Sequence, residues 1–284
     1  MDFASFLIQT LNSLQYGLLL FLVASGLTLV FGIMGIINLA HGSFYMIGAY
    51  LAFVLTSATG SLVLAVVLGI PLALAFGAFL EWALFSHLYK RDHLEQVLLT
   101  YGLILIFEQL RSLLVGDDVH GVAIPAFLDA SIQLTEVMSY PVYRLAISAI
   151  CIVLAVALYY LIQRTRLGMM IRAGNDDRGM VEALGININM IYRVVFALGV
   201  ALAALAGMLA APISSVFPNM GSHVLIISFV IVVIGGIGSV WGALVAALIV
   251  ASPTPSARSW SPSSPASWCM WSWRWSCCGA PKAS

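Results

Sequence analysis

The sequence predicts an all-α polytopic transmembrane protein, and three observations carry that expectation. Hydrophobic residues make up 62% of the chain and charged residues only 8%, where soluble domains carry about 25% charged residues. The mean hydropathy is +1.04. Apolar runs of spanning length, about 20 residues each, recur along the chain with polar linkers between them. The runs are roughly 6–31, 36–55, 62–85, 97–115, 142–162, 191–211 and 224–250.

The N-terminus, MDFASF, carries Asp2 and neither Lys nor Arg. It lacks the basic region of a cleaved signal peptide, so the first run is expected to be retained. The second run belongs to a glycine-rich stretch over 26–48, GLTLVFGIMGIINLAHGSFYMIG. Glycine in a helix interior costs about 1 kcal/mol relative to alanine. Such a cluster predicts either close helix packing or a broken helix. Asn38, His41, Gly42 and Ser43 sit within it, and polar side chains at membrane depth need a partner or a water-lined cavity. His41 either lines a pathway or hydrogen-bonds a neighbouring helix. Proton relay is disfavoured because no acidic residue accompanies it in the span.

Between the third and fourth runs lie Lys90 and Arg91, flanked by histidines. The next linker, 112–143, holds Asp117, Asp118, Asp129 and Glu136, with no Lys or Arg between Arg111 and its end. The linker after the fifth run is basic again. Basic, acidic, basic predicts inside, outside, inside, because cytoplasmic loops carry the excess of Lys and Arg. The side of the N-terminus stays open. Glu81 and Glu108 lie near the ends of their runs, and Glu108 with Arg111 has the spacing of a structural helix-face pair.

The second basic linker, 164–193, reads RTRLGMMIRAGNDDRGMVEALGININMIYR and holds five of the twelve basic residues. Charged side chains at the bilayer centre cost about 2.5–3.5 kcal/mol each even on lenient scales, so this stretch is a surface loop. Residues 168–173 and 178–184 are expected to form helical turns, broken at Gly174-Asn175 and ended by Gly185. The loop is either a topogenic charge cluster or a docking element for a cytosolic partner.

Asn219 and His223 follow Pro212 and Pro218 and suit a loop or channel mouth. The last run contains GGIGSVWG over 235–242. Gly238 and Gly242 form a G-x-x-x-G pair, which permits close backbone approach. Interrupted apolar segments in both halves of a transporter also point to the translocation site, which makes Gly235, Gly236 and Gly238 candidates beside Asn38, His41, Gly42 and Ser43.

Several chemistries are excluded. Net charge is zero, so nucleic acid is not an expected partner; membrane lipid is. No G-x-x-x-x-G-K-[ST] phosphate loop occurs, and the only lysines, Lys90 and Lys282, do not follow a glycine. Any ATP hydrolysis must belong to another chain. Of four cysteines only Cys151 lies in the apolar body, and no metal or disulfide spacing appears. Neither a cofactor nor a Ser/His/Asp set can be argued.

The stretch SGLTLVFGIMGIINLAHGSFYMIGAYLAF resembles the N-terminal signature of the permease subunits of branched-chain amino acid ABC importers, and of the smaller, LivH-type member most. RAGNDDRGMVEALGIN followed by ALAALAGMLAAPI resembles the family's cytoplasmic loop and next helix. FVIVVIGGIGSVWGALVAALIV resembles its late glycine-rich segment. The resemblance runs from about residue 11 to 250 and is weaker for substrate, since related permeases carry urea and short amides. It implies a permease subunit in the bacterial cytoplasmic membrane that moves leucine, isoleucine or valine. A second permease subunit, two cytosolic ATP-binding subunits and an extracytoplasmic binding protein would complete the machine. The loop residues Arg172, Asp176, Asp177, Gly185 and Asn187 would rest on the ATPase. The E-A-A…G pattern of other importers is matched loosely by Glu182-Ala183-Leu184-Gly185. A gradient-driven carrier is the alternative, and a receptor or scaffold would move no solute.

Residues 1–250 are thus expected to form the permease domain. Residues 251–284 are rich in Ser, Pro, Trp and Cys and hold five of the seven tryptophans. The resemblance implies a last apolar helix ending near W-R-P instead. A back-translation with freely chosen GC-rich codons, shifted by one frame, yields such a helix and ending. A frameshift near Ala251 is expected, against a genuinely divergent tail.

Overall fold

The computed structural model describes residues 3–252 apart from 90, 126–127, 136–137 and 177; side-chain statements also leave out 3–6, 134–135, 138, 175–176 and 178. Ten α-helices are described: α1 Phe3–Met34, α2 His41–Thr59, α3 Leu62–Ala83, α4 His93–Val115, α5 Val142–Arg164, α6 Arg166–Asp176, α7 Arg178–Ala183, α8 Ile188–Ser214, α9 Met220–Gly235 and α10 Val240–Ala251. Six segments are long and apolar enough to cross a membrane, and the bent pair α9–α10 makes up to seven. The chain is a multi-pass membrane protein built as the apolar runs predict.

Helices α1 and α8 form the centre. Both are buried over most of their length, and α2, α3, α9 and α10 pack against one or both of them. Helices α4 and α5 lie outside and turn Leu98, Ile106, Leu113, Val153 and Val156 outward. An apolar outer face has no hydration to gain and suits hydrocarbon. The centre combines large buried side chains such as Phe21, Phe44 and Phe196 with close backbone contacts at small residues. A Cβ on Gly26 of α1 would lie 2.6 Å from the Gly199 oxygen of α8, and Gly48 of α2 abuts the Ala204 carbonyl. Small residues of this kind let transmembrane helices approach closely.

The two ends of the bundle differ. One end gathers the acidic linker, the α2–α3 turn and the end of α8. There His120 exchanges backbone hydrogen bonds with Val216 at 2.9 and 2.8 Å, and its ring stacks on Phe53 of α2. The Tyr143 hydroxyl of α5 donates to the Leu209 carbonyl, and Arg144 reaches Asn12 of α1. The start of α1 therefore lies at the acidic end, which settles a point that the linker charges leave open. The linker also carries a small antiparallel hairpin, β1 Ser131–Thr135 and β2 Met138–Pro141. It adds the one strand pair described in an otherwise helical chain.

At this end Arg111 corrects one expectation. It pairs with Asp117 at 2.8 Å and donates to the Gly116 carbonyl, with its guanidinium over the Tyr50 ring. No Glu108–Arg111 ion pair forms. Arg111 lies at the C-terminal end of α4, where free carbonyls attract a cation, and the linker returns Asp117 to it.

The other end gathers the basic linkers and the α9–α10 break. A short 3₁₀ turn, Phe85–His87, leads out of α3. Gln96 of α4 folds back and donates to the Leu88 and Arg91 carbonyls, which ties the α3–α4 linker down.

Candidate functional site

Two stretches of α1–α2 and α9–α10 depart from regular helix, and both fall where glycines cluster. Helix α1 stops at Gly35, whose φ of 64° is a left-handed conformation that glycine adopts without strain. Residues 35–40 then run back alongside α1 without helix. Asn38 makes this possible. Its side-chain oxygen accepts from the Ala40 N–H at 3.0 Å, replacing a backbone partner that helix would have supplied. Helix α2 opens at His41, and His41 Nε2 donates to the Val23 carbonyl at 3.0 Å. Val23 lies near the middle of the Leu7–Met34 span. Residues 23–34 measure roughly 17 Å of helix, and six extended residues reach about 20 Å, so the return is feasible. Helix α2 thus starts at mid-depth in the bundle.

Asn38, His41 and Ser43 are buried there, with His41 beside the Gly26–Gly199 contact of α1 and α8 and Ser43 beside Gly221 of α9. His41 Nε2 must carry a proton, because a carbonyl only accepts. His41 Nδ1, Asn38 Nδ2 and Thr28 Oγ1 are buried with no protein partner among the described residues. Buried polar atoms are nearly always satisfied, so an unsatisfied group of this kind marks a place where a polar species can be met. Gly42 packs directly on the Gly221 backbone at the start of α9.

The second departure lies elsewhere. Helices α9 and α10 meet at a 120° bend over residues 236–239. Gly236 and Gly238 have φ of 86° and 82°, which only glycine adopts freely. Ser239 caps α10 by accepting from the Gly242 N–H at 3.0 Å. Gly238 and Gly242 therefore do not share a helix face, which corrects the G-x-x-x-G reading. Close approach is achieved differently: a Cβ on Gly32 of α1 would lie 2.6 Å from the Gly238 Cα, and Gly242 abuts Gly235. Gly235, Gly236 and Gly238 sit at the basic end. Helix α9, roughly 24 Å long, separates them from the His41 group, so the two sets of candidate pathway residues do not meet.

The basic loop is built of two amphipathic turns. Thr165 ends α5 and its hydroxyl accepts from the Gly168 N–H at 3.2 Å, which starts α6. Helix α6 runs through Gly174 and Asn175 to Asp176, so the expected break at those residues does not occur. Gly174 needs no left-handed conformation, and continued helix satisfies its backbone. The chain resumes in α7 at Arg178. Asp177 and the Asp176 side chain lie outside the described residues. Ile171 and Val181 are buried, which anchors α6 and α7 to the bundle. Gly185 ends α7 with φ of 80°, and the 184, 185 and 186 N–H groups close on carbonyls 180, 182 and 181. The Asn187 side chain then caps α8 by accepting from the Met190 N–H at 3.3 Å. Arg172 is exposed and donates to the Ile162 carbonyl at the end of α5. A cavity of about 390 Å³ opens beside it, lined by Tyr159, Gln163, Gly238, Ser239 and Trp241 among others. The loop and the α9–α10 break are thus neighbours, which the sequence does not show.

One cluster escaped the sequence reading. Glu81 in the last turns of α3 is fully buried. It accepts from Tyr89 Oη at 2.5 Å and pairs with Arg193 Nε at 2.9 Å. Burial and the Glu81 carboxylate raise the Tyr89 phenol well above its ordinary value, so Tyr89 stays a donor. The signal available was Glu81 alone, an acid near the end of an apolar run. Its partner Arg193 lies far away in sequence, at the end of the basic linker.

Comparison with known proteins fits this architecture. Residues 9–268 match the family described as branched-chain amino acid transport system / permease component. The chain is 32% identical over 261 residues to the high-affinity branched-chain amino acid transport system permease protein BraD of Pseudomonas aeruginosa, covering 86% of this chain and 84% of that protein. It is 31% identical over 271 residues to the corresponding permease protein LivH of Escherichia coli, covering 88% and 85%. The fructose import permease protein FrcC of Rhizobium meliloti is 35% identical, over 108 residues that cover 36% of this chain and 30% of that protein. No solved structure gives a match. The helical bundle, its glycine-broken spans and a match over most of the chain agree: this protein belongs to the branched-chain amino acid transport permease family, as a non-catalytic permease component of an ABC transport system.

Proposed function

We propose that the chain is a permease subunit of an ATP-driven importer for leucine, isoleucine and valine. The observation that carries this reading is the extent of the two similarities. Those to BraD and LivH span most of the chain, whereas the fructose permease is matched over about a third. The apolar, nearly charge-free interior suits a zwitterion with an aliphatic side chain. Fixed charge along such a path would trap one end of the solute.

In this reading the basic end faces the cytoplasm and the start of α1 faces outward, by the positive-inside rule. ATP-binding subunits rest on the α6–α7 loop through Arg172, Asp176, Asp177 and the Gly185–Asn187 corner. Because α6 and α7 are anchored and α8 is capped directly behind them, a push on the loop moves packed helix as a rigid body. A second permease subunit completes the pore, and an extracytoplasmic binding protein delivers the solute. Asn38, His41 and Ser43 offer the polar groups that a solute's ammonium or carboxylate could meet at mid-depth. Gly42, Gly235, Gly236 and Gly238 let the helices around the path bend and approach. Residues 251–284 are taken as a frame-shifted tail; the family match runs on past 251, so sequencing of the coding DNA decides.

The test is uptake into proteoliposomes holding the chain with its partner subunits. Labelled leucine should enter only with ATP, should survive collapse of ion gradients, and should be competed by isoleucine and valine. Competition by fructose, urea or a short amide instead would assign another substrate. Uptake that follows an ion gradient without ATP would make the protein a secondary carrier.

A further inference from the structure

The buried Glu81 cluster has no part in the pathway or in the loop's contact surface, yet it joins them. Glu81 sits in α3, Tyr89 in the α3–α4 linker and Arg193 in the second turn of α8, shortly after the Asn187 cap. One carboxylate therefore holds three elements. Its two oxygens are used separately, Oε1 by Tyr89 and Oε2 by Arg193. Neither contact can be lost without leaving a fully buried carboxylate short of a partner, which is strongly unfavourable.

Packing around the cluster follows the same line. The Tyr89 ring meets Tyr192 edge-on with centroids 4.9 Å apart, and Phe85 meets Phe196 at 4.4 Å. Tyr192, Arg193 and Phe196 share one face of α8, because helix neighbours fall three and four residues apart. Phe85 and Tyr89, at the start and middle of the α3–α4 connection, thus lie against that face, and Gln96 of α4 holds the Leu88 and Arg91 carbonyls. Arg193 keeps its side chain 43% exposed while Glu81 has none exposed. The guanidinium thus reaches in from the surface of the loop side.

We infer that the Glu81–Arg193–Tyr89 cluster is a coupling clamp that fuses the α3–α4 linker to the start of α8, so that displacement of the α6–α7 loop moves both as one body. All three are positioning residues. They act through α8 and α3 on the bundle centre, where Gly77 of α3 packs on Ala197 and Val200 of α8. The coupling role rests on the ATP-driven reading above. The fused body does not.

Two measurements separate these. The first is leucine moved per ATP hydrolysed in proteoliposomes of the assembled complex, for the unchanged chain and for Glu81→Gln, Arg193→Gln, Tyr89→Phe and the Glu81→Gln/Arg193→Gln double variant. The ratio should fall about fivefold or more in each charge variant, with the double variant no worse than the singles, as for residues acting as a unit. A purely structural role would lower the amount of complex and leave the ratio unchanged, which would overturn the coupling clamp. Should Glu81→Gln fail to assemble, Tyr89→Phe and Arg193→Lys carry the comparison. The second is amide hydrogen exchange of the chain in detergent. Arg193→Gln should raise exchange over 84–92 and 188–193 together. A rise in one segment alone would show that no fused body exists. Failure of the unchanged chain to take up leucine with ATP would sink the transport reading while exchange still reports on the clamp.

Discussion

At single residues the chain places polarity where one specific bond needs it. Asn187 supplies a cap to a helix that starts immediately behind the coupling loop. Replacing it with alanine should cost about 1 kcal/mol, the usual loss of an N-cap, read as a lowered midpoint in thermal unfolding of the purified chain. Asn187→Asp should retain most of that stability. Asp117 shows the same economy at the acidic end. The Arg111 guanidinium, helped by the Ser112 hydroxyl, holds its carboxyl below the usual aspartate range. A depressed folded value means that the clasp is present above the unfolded value and is lost as pH falls through the folded one. Asp117→Asn should therefore lower the thermal midpoint at neutral pH, with the difference vanishing under acid conditions. An unchanged difference across that range would mean that the Asp117 charge contributes nothing.

At the scale of elements the fold depends on where helices can touch. Glycines that meet another backbone differ from glycines that meet nothing. Gly26 faces the Gly199 backbone, while a Cβ on Gly102 of α4 would meet nothing within 4 Å. Gly26→Ala should force α1 from α8 and destabilise the bundle by about 1–3 kcal/mol, as overpacking does. Gly102→Ala should be neutral or stabilising by up to about 1 kcal/mol, from helix propensity alone. Equal thermal midpoints for the two variants would sink the view that α1 and α8 are held by backbone contact. The same comparison explains why α4 tolerates glycine on an outer face and α1 requires it inside.

At the scale of the whole molecule the chain has two unlike ends and a core that is irregular at mid-depth. The start of α1 shares an end with the acidic linker. An N-terminal tag and a thiol at Asp118→Cys should both react with impermeant reagents from outside intact cells. A thiol at Arg172→Cys should react only from the inside, in a background with Cys269, Cys277 and Cys278 replaced by serine. A tag found on the side of Arg172 would overturn the crossing order. Helix α10 has 12 residues, roughly 18 Å, well short of a hydrocarbon core about 30 Å thick. Resequencing codons 245–284 should show a shift near codon 251 that restores an apolar helix. An unshifted frame would make residues 251–284 a real tail.

By itself the sequence determined the membrane class, the apolar runs, the charge alternation of the linkers and the family, because each is written in local composition or in contiguous motifs; how many of those runs cross, and the 120° bend inside the last one, it did not determine. It also placed the end of α7, since Gly185 acts on its nearest neighbours, whereas the Asn187 cap that starts α8 at Ile188, three residues before the apolar run at 191, came from the structure. It predicted a break at Gly174-Asn175 that continued helix removed, because propensity is weak against an anchored amphipathic turn. Only the tertiary structure decided that Arg111 answers Asp117 and not Glu108, and that the two glycine groups lie apart. It alone brought Glu81 to Arg193. The Arg111 choice is set by how the linker folds back over six residues; the others are contacts between residues distant in sequence, set by which helix faces close on one another, and no local pattern encodes them.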